Sequence, residues 1–195
     1  MSDAKDKARV ALAALLSEFE ELDRAALTAS ESEATARSWV GKLLSVFGWN
    51  AADPRQVRQE YTIQGREVRR LRREGTSHRR PDYALKVGDE RILYIDVNRF
   101  DVSLAEDEAV AFQVRSYGWS AGFTVSYACD FEEIATWDCR HKPEADDDAR
   151  VARILCLRYP QYLENFDLLW DAVSRRRPRL DRVPRAVPRT TGVRS

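Results

Sequence analysis

No apolar run in this 195-residue chain approaches the roughly 20 residues that carry a helix across a bilayer, so no membrane span is expected. The first residues are not followed by a long apolar core and a small-residue cleavage site. No signal peptide is therefore expected, and the cytoplasm is the expected compartment. Cysteine is scarce: Cys129, Cys139 and Cys156 are odd in number, widely spaced and without a CxxC pair. That pattern argues against a disulfide framework and fits reduced thiols. Cys139 and His141 suggest zinc, but two further ligands are lacking. Net charge is lacking too, with 32 Lys and Arg against 32 Asp and Glu. The balance hides an asymmetry. Residues 175–195 hold eight arginines and one acid, Asp181, so residues 1–174 carry a net charge of −7. A mildly acidic body argues against a protein that coats nucleic acid indiscriminately. What is present is a 44% hydrophobic, 33% charged chain without internal repeats, long enough for one domain with a proper core plus tails.

Apolar spacing predicts helices over residues 3–26 and 30–47. Ser30 followed by Glu33 forms a capping-box pattern for the second helix, and Gly48 stops it. Residues 57–63 alternate as a strand, and residues 65–77 form an arginine-rich connection. Residues 84–87 and 92–95 form two strands around a tight turn at 88–90. A helix is expected over 105–117, closed by Gly118, then a buried strand over 123–127 and a short one over 134–137. Residues 150–157 are open between strand and helix, and 160–173 have helical spacing. The order predicts an α/β (α+β) fold with a mixed sheet of four to five strands flanked by helices. Residues 1–27 are assigned to an amino-terminal helix, 28–174 to the main domain and 175–195 to a disordered Arg/Pro-rich tail.

Two short stretches carry the chemistry: Arg80-Pro81-Asp82-Tyr83 and Asp96-Val97-Asn98. With the turn centred on Asp89, paired residue numbers sum to 178, and Asp82 lies across from Asp96. Alternation along the strand puts Asn98 on the face of Asp96. Facing carboxylates repel, and a divalent cation between them is the usual remedy. The backbone carbonyl of Val97 is a further oxygen ligand for it. Residues 66–80 bring seven arginines against Glu67 and Glu74. Of these, Arg69, Arg70, Arg72, Arg73, Arg79 and Arg80 are candidates for holding a DNA backbone.

Pro-Asp, a hairpin, then acid-x-residue resembles the PD-(D/E)XK nuclease superfamily. The likeness extends to Glu33-Ala34-Thr35 and Val46-Phe47-Gly48-Trp49, similar to the first helix of the nuclease region in type I and type IIG restriction–modification enzymes. Gln113-Val114-Arg115-Ser116-Tyr117 resembles that branch's QxxxY motif, and Tyr162-Leu163-Glu164-Asn165-Phe166-Asp167 resembles its later segment. The resemblance covers roughly residues 28–174. It implies a restriction-endonuclease-like fold and Mg²⁺-dependent cleavage of double-stranded DNA, with Mn²⁺ as a substitute ion. It also implies a methyltransferase or specificity subunit as a partner. Metal binding falls to Asp82, Asp96 and Val97 with Glu33 assisting; Gln113 and Tyr117 support the site.

Two departures qualify this. Asn98 stands where the family carries lysine, and Asp96 where glutamate is commoner. Asparagine hydrogen-bonds water but brings no charge. Lys86 lies roughly 13 Å away along its strand, too far to replace the lysine. Arg80, opposite Asn98 in the proposed register, is placed to lend its charge. The family also continues into a methyltransferase and a target-recognition region that these residues do not include, which implies a truncated relative or a stand-alone nuclease domain. A catalytically silent DNA- or partner-binding module with the same fold is the alternative.

Overall fold

The structure, a computed structural model, describes residues 2–63 and 80–175. The arginine run before Arg80, with Arg69, Arg70, Arg72, Arg73 and Arg79, and the tail beyond Arg175 lie outside the described residues.

Among the described residues, four α-helices flank one mixed sheet of six strands, one or two strands more than expected. Helix α1 (Ser2–Glu20) is shorter than its apolar spacing suggested, and residues Arg24–Ala26 form a separate 3-10 turn. Helix α2 (Ala29–Val46) begins differently from expectation. Thr28, not Ser30, is the N-cap: its side chain accepts from the Glu31 amide, and the Glu31 carboxylate accepts from the Thr28 N–H at 3.0 Å. Glu33 is thereby released from capping. Gly48, at φ 86°, follows the helix end as expected.

Strand β1 (Val57–Gln59) is cut short where Glu60 adopts φ 45°. Strands β2 (Tyr83–Val87) and β3 (Glu90–Val97) form the hairpin. Tyr83 pairs with Ile95, Ala84 with Tyr94 and Leu85 with Leu93, the register expected from the sequence, before a bulge at Leu85/Lys86. Helix α3 (Glu108–Ala121) then crosses over to β4 (Val125–Cys129), which pairs parallel with β3. Strands β5 (Glu133–Asp138) and β6 (Arg153–Arg158) continue antiparallel, so the ambiguous stretch 150–157 is largely a strand. The expected helix over 160–173 divides into a 3-10 turn at Tyr159–Gln161 and helix α4 (Phe166–Val173).

Alternation sorts the sheet into two layers. Tyr83, Leu85, Leu93, Ile95 and Val97 join the core with α1, α2 and α4, where Leu12, Phe19, Leu44 and Phe166 are buried. Ala128 and Ala135 lie on the opposite face with Val110, Ala111 and Val114 of α3, and Ala84 and Tyr94 pack there with Tyr117. Small alanines on that face let α3 approach closely.

Gly118 belongs to that approach. It does not close α3; Gly122 does, at φ 76°. A Cβ on Gly118 would stand 2.5 Å from both Cys139 Sγ and Ser126 Oγ. Gly118→Ala should therefore destabilise the fold by roughly 1–3 kcal/mol, as overpacking does. Urea unfolding would register this as a lowered midpoint.

Candidate functional site

The expected site residues Glu33, Asp82, Asp96, Val97, Asn98, Gln113 and Tyr117 all line one open cleft of about 810 Å³, together with Arg80 and Arg99. Three elements build it. The β2–β3 hairpin supplies the acids, α3 covers one side and α2 the other.

Asp82 sits one residue before β2 and is held by both its oxygens. Oδ2 accepts the Val97 N–H at 2.7 Å and Oδ1 accepts Arg37 Nη2 at 2.6 Å. Its own carbonyl accepts the Glu60 N–H at 2.8 Å. Burial pushes its carboxyl above the ordinary value, while the Val97 N–H and Arg37 oppose that rise. Asp96, in the paired body of β3, is 7% exposed. Its Oδ2 accepts Gln113 Nε2 at 2.9 Å. Burial, and then the charge of Asp82, push its pKa up to about 8 despite that bond. The two acids thus feel each other across the hairpin, as their register requires.

Tyr117 lies one helical turn after Gln113 on the same face of α3. It is buried, packs edge-on to Tyr94 at 6.4 Å, and its phenol is raised by burial and by Asp96. Asn98 Nδ2 is buried without a hydrogen-bond partner among the described residues. Arg80 is exposed at the rim.

Two residues escaped the sequence reading. Arg37 follows Glu33 by four residues and contacts Glu33 Oε1 at 3.1 Å and Glu60 Oε1 at 3.3 Å, besides Asp82. Glu60 reaches the site through its positive-φ turn after β1. The signal for Arg37 was present as an i,i+4 acid–base pair, a pattern that ordinarily marks a solvated helix face.

Hard oxygen donors are what Asp82, Asp96 and the Val97 carbonyl offer, the chemistry that suits Mg²⁺ or Mn²⁺. An interior carboxylate beside a like charge is also a setting in which a bound cation would be favourable. Among the described residues no group of three or more His, Cys, Asp or Glu is gathered to hold a metal, so any ion here would rely on two carboxylates, backbone and water. Cys139 is not among such a group either, and burial pushes its thiol up to about 12.

No protein-family model matches the chain, and no solved structure matches it. A search of curated proteins finds similarity to the type II restriction enzyme and methyltransferase RM.Eco57I of Escherichia coli, 24% identical over 141 residues. That match takes in 70% of this chain and 14% of the longer protein. The chain is thus a distant relative of a restriction–modification enzyme and spans a small part of its length. Among the described residues no helix is long and apolar enough to cross a membrane.

The Asp96 carboxyl sets a pH dependence for the metal-free protein. Its folded pKa of about 8 lies above the ordinary value of 3.8, so the native state binds the proton more tightly than the unfolded chain. Stability should fall as pH rises from about 4 to about 8. Thermal melts in chelator are expected to show that decline, and Asp96→Asn to lessen it; Asp130, which burial also pushes up to about 8, contributes a share of its own.

Proposed function

We infer that the domain is a Mg²⁺-dependent DNA endonuclease of restriction–modification type that hydrolyses phosphodiester bonds. The observation that carries this is the juxtaposition of Asp82 and Asp96 in one cleft, with Gln113 and Tyr117 of α3 behind them. The distant relation to a restriction enzyme supports it.

In this reading Asp82, Asp96 and the Val97 carbonyl hold the ion. A bound divalent ion supplies an acidified water and charge for the phosphate oxygens. The chain's own groups do the rest. Gln113 fixes the Asp96 carboxylate, and the Val97 amide fixes that of Asp82. Asn98 lines the cleft, where an amide side chain brings hydrogen-bonding capacity but no charge. Arg80 and Arg99 bring positive charge to the rim, where a DNA backbone would lie. The expected product carries a 5′-phosphate. Double-stranded DNA is the substrate, and a methyltransferase or specificity subunit is the expected partner.

One observation favours a second reading. With Asn98 in place of lysine, the cleft lacks an electrostatic stabiliser that typically contributes about 10²–10³ in rate. A domain so weakened could bind DNA without cutting it.

Plasmid nicking separates the two. The endonuclease should convert supercoiled plasmid to open circle with Mg²⁺ or Mn²⁺, lose this with chelator, and lose it in Asp82→Ala. Asn98→Lys should raise the rate by roughly tenfold or more. DNA band shifts without nicking under either ion would instead establish the silent module.

A further inference from the structure

Helix α2 is tied to the sheet at two points. The Arg37 carbonyl accepts the Tyr83 hydroxyl at 2.9 Å, and Ser32 Oγ accepts the Phe100 N–H at 3.1 Å. These bonds fix the helix against the residue after Asp82 and against the segment after β3. From this fixed stem the Arg37 guanidinium meets three carboxylates: Glu33 one turn earlier on the same helix, and Glu60 and Asp82, both remote in sequence.

The contacts are unequal. The Glu33 and Glu60 side chains are 49% and 66% exposed, so their ion pairs are solvated and individually weak. Asp82 is 14% exposed and lies closest, at 2.6 Å. The Val97 amide holds the other oxygen of Asp82. Arg37 and β3 therefore grip that carboxylate by its two oxygens, and each oxygen keeps a lone pair for another partner. Capping does not explain the acids, because Thr28 and Glu31 perform it.

We propose that Arg37 is a positioning residue acting through Asp82: its guanidinium is the resident counter-cation of the site, drawing Glu33 and Glu60 to itself and holding Asp82 by one oxygen, so that the remaining lone pairs of Asp82, with Asp96, face the cleft. Glu33 then works through Arg37 and is not itself a metal ligand. Three carboxylates share one fixed positive charge, and that charge stands where a further divalent ion would otherwise be drawn. This deepens the endonuclease reading and rests on it for the ion that the cleft takes.

The test is a calorimetric titration of Mn²⁺ into the full chain, its Arg37→Ala, Arg37→Gln and Arg37→Lys variants, and the double variant Arg37→Ala/Glu60→Gln. Arg37→Ala and Arg37→Gln should each bind one Mn²⁺ more per chain than the parent. Arg37→Lys should keep the parent's count, and the double variant should return to it. Plasmid nicking should fall about 10–100-fold in Arg37→Ala, the usual range for losing a group that orients a metal ligand, and recover in part in Arg37→Lys. Circular dichroism melts identify any variant that fails to fold; Arg37→Gln, which keeps the length without the charge, carries the test if Arg37→Ala does. An unchanged count in a folded neutral variant overturns the proposal, as does an Arg37→Lys variant that gains an ion. Failure of the endonuclease reading looks different: a parent chain that neither binds Mn²⁺ nor nicks, whatever the variants gain.

Discussion

The register of β2 against β3 is the constraint on which the site depends. Tyr83 pairs with Ile95 and Leu85 with Leu93, and these four side chains enter the core beneath α1 and α2. A slip of one residue would turn that apolar set outward, so the core strongly specifies the pairing. Once it is fixed, Asp82 and Asp96 have no freedom to avoid each other. The acidic pair is therefore held together by apolar packing, which opposes its mutual repulsion.

That repulsion is managed by neighbours from other elements. Gln113 donates to Asp96 from α3, while Arg37 and the Val97 amide donate to Asp82. A neutral donor, Gln113, meets the more deeply buried acid, and a cation, Arg37, meets the acid nearer the surface. A buried ion pair carries a large desolvation cost, whereas an amide bonded to a carboxyl does not commit that carboxyl to one protonation state. The division leaves Asp96 responsive to whatever enters the cleft.

The hairpin, its register and the helix bearing Gln113 were legible because each rests on local periodicity and a short turn. The start of α2 was not. Thr28 to Glu31 and Ser30 to Glu33 both satisfy the capping-box spacing, and the sequence does not rank them. Gly118 resembled a helix stop because glycine serves both at helix ends and at close approaches, and the latter depends on Ser126 and Cys139 across the layer. The bond from Arg37 to Asp82 joins residues 45 apart, beyond any local pattern. The strand β6 became legible once β5 was available to pair with it.

The two acids differ in how firmly the backbone grips them. Asp96 lies on a strand bonded on both sides, to β2 and to β4, and itself pairs with Ala128. Asp82 stands just outside β2, in a bend. Asp96 is thus set in place by the sheet itself, and Asp82 by partners from three other places in the chain: the Val97 amide, the Arg37 guanidinium and the Glu60 amide. One acid inherits its position from strand pairing and the other from its neighbours, so a change at Arg37 or Glu60 would reach Asp82 and leave the strand that carries Asp96 untouched.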